Sequence, residues 1–183
     1  MACLRGDAAL AFNNAGVIVQ YYDYYQSPHG RMLLVADDQA LTGVYFIGQK
    51  YQPRIQEEWT RDSRHAPLRQ AKQELAEYFA GKRTRFTVKV APRGTPFQCA
   101  VWKAIADVGF GRTIPYAELA RRAGRPGSAR AAGAATGRNP IGIIVPCHRI
   151  VGSNGSLTGY AGGLAKKRAL LALERRSKEP VRH

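Results

Sequence analysis

The sequence is short of acidic residues, of cysteine and of long apolar runs, and each shortage narrows what the chain can be. Asp and Glu number 13 against 28 Lys and Arg, a formal net charge of +15. Such an excess suggests a polyanionic partner, because Lys and Arg release counterions condensed on phosphates. An anionic membrane surface or plain solubility is the alternative. The three cysteines, Cys3, Cys99 and Cys147, cannot all pair within one chain, and their separations match no two-plus-two zinc pattern. Reduced thiols in a cytosolic protein are expected, with at least one free for chemistry or all three filling core. The uncharged stretch Ala8 to Tyr22 is interrupted by Asn13 and Asn14 and is too short to span a membrane. It also lacks the basic start and small-residue cleavage site of a secretory signal, so a cytoplasmic location is expected. No internal repeat or low-complexity tract is present.

What is there is unevenly distributed. Residues 1–90 hold 12 basic and 9 acidic side chains, whereas residues 91–183 hold 16 and 4. The polyanion-binding surface is therefore expected in the second half. With 45% hydrophobic and 22% charged residues, the composition is that of a globular protein.

In the first half, Met32–Ala36 and Leu41–Ile47 read as two strands joined by a turn at Asp37-Asp38. Leu68, Ala71, Leu75, Tyr78 and Phe79 keep helical spacing from Pro67 to Gly81, and Phe86, Val88 and Val90 alternate as a strand. Ala91-Pro92-Arg93-Gly94 reads as a linker, giving an α/β domain over 1–90 and a second domain over 91–183. Thr95-Pro96 supplies a helix cap and first-turn proline, and a helix follows to Gly109. Pro115 opens a second helix through Arg122, and Ser128 caps a third over Ala129–Thr136. The last two form a helix-turn-helix pattern, weak by itself.

Two features of the second half carry chemistry. In the third helix Ala129, Ala131, Ala132, Gly133, Ala134 and Ala135 surround one large residue, Arg130. Close helix packing explains this, and so does a helix that presses into a groove while one arginine reaches inward; the residues do not separate the two. The second feature is Asn139-Pro140-Ile141-Gly142-Ile143-Ile144-Val145-Pro146-Cys147-His148-Arg149. A cysteine attacks as thiolate, a form favoured by neighbouring cationic or proton-accepting groups. A buried structural cysteine beside a surface His-Arg pair is the competing reading.

Pro146-Cys147-His148-Arg149 resembles the active-site signature of the O6-alkylguanine-DNA alkyltransferases. Asn139-Pro140 upstream, Gly159-Tyr160-Ala161-Gly162-Gly163-Leu164 downstream, Phe97-Gln98, Val101-Trp102, Ile114-Pro115-Tyr116 and Ala129-Arg130-Ala131 extend the resemblance. It is dense from Thr95 to Glu174 and looser over residues 20–94.

The resemblance implies an RNase H-like α/β N-terminal domain of structural role and a mainly α, winged-helix-like C-terminal domain. It implies single-turnover repair in which Cys147 permanently accepts the alkyl group of a flipped O6-alkylguanine, with O4-alkylthymine left open. His148 then corresponds to the base acting through a water, Glu174 to the carboxylate orienting it, and Tyr116 to a donor toward guanine N3. Asn139 ties the helix-turn-helix to the active-site turn. Arg130 is the finger that replaces the flipped nucleotide, with Ser128, Ala129, Ala131 and Gly133 also meeting DNA. Tyr160, Ala161, Thr136 and the carbonyls of Cys147 and Ile150 line the base pocket. The implied partner is double-stranded DNA carrying O6-alkylguanine, for a monomer whose cooperativity on DNA is left open and that needs no membrane and no cofactor. Some relatives hold a structural zinc, but here Cys3 has only His29 and His65 nearby in sequence, so no metal is expected. A non-catalytic alkylated-DNA-binding protein is the alternative, against which Cys147, His148 and Glu174 together count. A cysteine hydrolase would leave the basic second half unexplained.

Overall fold

The computed structural model describes residues 19–177. Its first half is built on a four-stranded sheet in the order β3-β2-β1-β4, formed by β1 (Tyr21–Ser27), β2 (Gly30–Ala36), β3 (Leu41–Phe46) and β4 (Thr60–Arg61). The three long strands are antiparallel neighbours, and β4 runs parallel to β1. Strand β1 escaped the sequence reading because Tyr21-Tyr22-Asp23-Tyr24-Tyr25 shows no apolar alternation. Both its faces are used. Tyr21 and Tyr25 pack toward the main core, while Tyr22 and Tyr24 join Trp59 over Leu33, Val35 and Tyr45 on the other side.

Helix α1 (Ala66–Phe79) lies on the core side and buries Leu68, Ala71, Leu75 and Tyr78, the stripe its periodicity predicts. The expected strand at Phe86–Val90 is a correction. Only one bridge forms there, between Val90 and Leu41. The cause is Glu74, whose carboxylate accepts the backbone N–H of Thr87 (2.8 Å) and Val88 (3.1 Å), groups that a ladder would need. The adjoining Ala91–Gly94 stretch is no loose tether, since the Ala91 N–H donates to the Leu41 carbonyl at 2.8 Å.

Four helices follow: α2 (Pro96–Ala106), α3 (Tyr116–Arg122), α4 (Ala129–Gly137) and α5 (Leu164–Arg176). Thr95 caps α2 in a full capping box with Gln98. Ser128 precedes α4 as expected, but its side chain makes no capping bond, a second correction. Its backbone (φ −95°, ψ 38°) departs from the extended conformation of a capping residue. Two short parallel strands, β5 (Ile114–Pro115) and β6 (Ile150–Val151), pin the start of α3 beside the segment after Cys147. One buried core runs through both halves, from Met32 and Leu75 to Trp102, Ile141 and Leu170. No helix among the described residues is long and apolar enough to cross a membrane.

Cys99 corrects the expectation of three reduced thiols: it is disulfide-bonded. Cys3 lies outside the described residues.

Candidate active site

The cysteine turn is shaped by its backbone. Ile144 N–H donates to the Gly142 carbonyl at 2.8 Å, closing a three-residue turn centred on Ile143 at φ 69°. That conformation is strained for a β-branched residue. Cys147 N–H closes a second such turn onto Val145 at 2.8 Å, around Pro146. Buried Asn139 holds the ends of this winding: its amide donates to the Val145 carbonyl (2.8 Å) and its carbonyl accepts from Ile141 N–H (3.0 Å). The edge of β3 supports the other side. Val44 N–H donates to the Pro140 carbonyl at 2.8 Å, and Gly142 N–H to the Val44 carbonyl at 3.0 Å. A Cβ on Gly142 would stand 2.9 Å from that carbonyl, so only glycine allows the approach. The N-terminal sheet and Asn139 thus fix the path of the chain into Cys147.

Cys147 opens a single 3-10 turn (Cys147–Arg149) and is 8% exposed, the one free cysteine among the described residues. Burial pushes its thiol up, opposed by a hydrogen bond from Asn139, the charge of Lys167 and nearby backbone N–H groups. His148 is fully buried and its Nε2 lies 2.7 Å from Glu174 Oε1. Desolvation lowers its pKa against the pull of Glu174, which favours the neutral imidazole. Its Nδ1 is buried and has no protein partner.

Glu174 gathers more than the histidine. Arg149 donates to it from Nε and a terminal nitrogen, both at 2.9 Å, Tyr78 from its hydroxyl at 2.8 Å and Gly111 from its backbone at 2.8 Å. Burial opposes ionisation, but the hydrogen bonds from His148 and Arg149 and the Arg149 charge prevail and hold the carboxyl at about 2. Arg149, which the sequence reading left without a role, is therefore a clamp on Glu174. Its remaining nitrogen reaches the Val108 carbonyl at 2.5 Å.

Lys167 was missed. It is fully buried, its ammonium donating to the carbonyls of Ile150 (2.5 Å), Thr158 (2.7 Å) and Gly159 (3.3 Å), and desolvation lowers it to about 8. A signal existed: Lys167, Leu170, Leu171 and Glu174 form the buried stripe of α5 at helical spacing.

A cavity of about 350 Å³ is walled by Tyr116, Gly133, Ala134, Gly159, Tyr160 and Ala161 among others. The Tyr116 hydroxyl donates to the Thr158 carbonyl at 3.2 Å, and burial raises its pKa, so it remains a donor. Cys147 is near enough to Tyr116 and Tyr160 for its charge to act on both. Thr136, on the same helix as Gly133 and Ala134, is buried with its hydroxyl donating to the Ala132 carbonyl at 2.7 Å. The Ile150 carbonyl, expected as a base acceptor, already receives Lys167, and the Cys147 carbonyl receives Ile150 N–H.

Helix α4 divides its small residues between two uses. Ala132 and Ala135 are buried, with Trp102 donating to the Ala135 carbonyl at 2.9 Å. Arg130, Ala131 and Ala134 face outward, and Arg130 enters no ion pair among the described residues. Gly133 borders the cavity with room for a Cβ at ordinary contact distance from Tyr116, so packing inside the protein does not require glycine there. His29 packs on Phe79 and His65 on Tyr21; among the described residues no His/Cys/Asp/Glu group could hold a metal ion.

Comparison with known proteins covers nearly all of the described chain. Residues 96–176 match the DNA-binding domain of 6-O-methylguanine DNA methyltransferase, and residues 20–92 match its ribonuclease-like domain. A methylated-DNA--protein-cysteine methyltransferase of Methanosarcina acetivorans is 45% identical over 84% of this chain and 97% of its own. One from Mycolicibacterium paratuberculosis is 44% identical over 85% and 92%. Among solved structures, the Mycobacterium tuberculosis O6-methylguanine methyltransferase superposes with a TM-score of 0.79 at 44% identity, covering 89% of this chain and 96% of that one. The M. tuberculosis OGT in complex with DNA gives 0.78 at 42%, covering 87% and 94%.

Proposed function

This chain belongs to the 6-O-methylguanine DNA methyltransferase family, and we propose that Cys147 is the residue on which it keeps the alkyl group. Its activity is DNA repair by direct alkyl transfer from DNA to a protein cysteine. The observation that carries the assignment is the pairing of a free thiol at Cys147 with a buried His148–Glu174 contact of 2.7 Å in the next residue.

In the proposed reaction, neutral His148 takes the Cys147 proton through a water at its otherwise unpartnered Nδ1. Ionised Glu174 stabilises the imidazolium that results. The sulfur attacks the alkyl carbon, a C–S bond forms, and the C–O6 bond breaks with its electron pair going to the guanine. Tyr116, kept protonated by burial, offers a hydrogen bond to the base as negative charge develops there. The product is a thioether without a leaving group, so the chain reacts once.

The substrate on this reading is double-stranded DNA carrying O6-alkylguanine, bound by a monomer. Residues 91–183 supply chemistry and DNA contacts, and residues 1–90 brace them. Ser128, Ala129, Ala131 and Gly133 lie on or beside a helix whose outward face lacks bulk, which suits a groove. Exposed, ion-pair-free Arg130 suits insertion into the stack better than fastening its own domain. Tyr160 and Ala161 flank the flipped base.

The test is peptide mass mapping after incubation with methylated duplex. One methyl group on the peptide containing Cys147 is expected, and none in Cys147→Ser, which should keep DNA affinity within a few-fold because binding rests on phosphate contacts. A methyl group on any other residue would overturn the assignment.

A further inference from the structure

We propose that Tyr51, from the N-terminal half, forms a wall of the pocket that receives the alkylated base and presents its ring to that base. This rests on reading the cavity walled by Tyr116 and Tyr160 as the base site. Seven of the nine residues around that cavity come from the second half, but Lys50 and Tyr51 close it from the turn that follows β3. Nothing in the sequence patterning pointed to them.

Four observations support a built feature. Tyr51 is 46% exposed, so its ring is not held by core packing. Its φ is 65°, a conformation that costs a bulky L-residue and favours glycine. A tyrosine kept there, exposed and strained, is explained by what its ring faces. Finally, the turn is braced from within. Gln49 Oε1 accepts Phe46 N–H at 2.9 Å, and Gln52 Oε1 accepts Gly48 N–H at 2.7 Å. Two cations flank the ring, Arg138 from the end of α4 at 4.7 Å and Lys50 at 4.9 Å from its centroid. The ring is thereby tied to the helix that presents Arg130. An aromatic face at the mouth of a pocket for a flat, unstacked base supplies the stacking partner that the base loses on leaving the duplex.

The experiment measures second-order rate constants with free O6-benzylguanine and with methylated duplex for wild type, Tyr51→Gly and Tyr51→Phe. Melting curves accompany them. Glycine accepts the backbone conformation, so Tyr51→Gly removes the ring without adding strain. It should melt no lower than wild type yet react about tenfold more slowly with both substrates, while Tyr51→Phe stays within about twofold. An unchanged free-base rate in Tyr51→Gly overturns the inference, even if duplex repair slows, because that would make Tyr51 a DNA-strand contact. A wild-type protein that accepts no alkyl group from either substrate would instead sink the reading of the pocket itself.

Discussion

Tyr78, in the helix of the N-terminal half, donates a 2.8 Å hydrogen bond to Glu174, the carboxylate that also holds His148. Burial and the Glu174 charge both push the Tyr78 phenol up, so it stays a donor at any working pH. The N-terminal half therefore touches the relay directly, besides supporting the cysteine turn through Val44.

Tyr78→Phe removes that donor while keeping the ring packed against Phe110. A hydrogen bond to a buried charge contributes about 2 kcal/mol, and the variant should lose roughly that in urea unfolding. Transfer should slow only modestly, since Arg149 and Gly111 still hold Glu174. A variant as stable as wild type would show that the bond contributes nothing.

The pH dependence of stability follows from Glu174. Its folded pKa is depressed from an ordinary 4.5 to about 2. A depressed carboxylate contributes stability that is fully present above its unfolded value and is lost as pH falls through the folded one. The contribution is on the order of 3 kcal/mol. Glu174→Gln should therefore be several kcal/mol less stable at pH 7, because Arg149 is left buried without its partner charge. The gap should close between about pH 4.5 and 2. Denaturation of both proteins across that range is the check, and a gap independent of pH would contradict the assignment.

Arg130 separates insertion into DNA from a structural role. Extruding a nucleotide from duplex costs a few kcal/mol, and a free base has no stack to leave. Arg130→Ala should slow repair of alkylated duplex markedly, change the reaction with free O6-alkylguanine little, and leave the melting temperature unaltered. Single-stranded substrate should fall between. Equal slowing on duplex and free base would return Arg130 to a structural part.

The legibility of these features follows their physics. Helix α1 was readable because it buries one periodic face, and strands β2 and β3 because they are short apolar runs, buried on both faces and bounded by turn residues. The strand expected at Phe86–Val90 failed because a side chain, Glu74, took the backbone donors, and pattern alone does not register that competition. Strand β1 was hidden by tyrosines on both faces. At the site, Cys147, His148 and Glu174 were named through a motif resemblance. Lys167 and Arg149 were not given roles, since a buried charge is visible only once its carbonyl or carboxylate partners converge from distant segments.

On this mechanism transfer is stoichiometric and never resets. The most direct measurement is the amplitude of repair when a several-fold excess of O6-methylguanine duplex is mixed with a known amount of protein. A burst that stops at one methyl group per chain is expected, with no recovery of free Cys147 thiol on long incubation. Product that continues to accumulate linearly past one equivalent would contradict it.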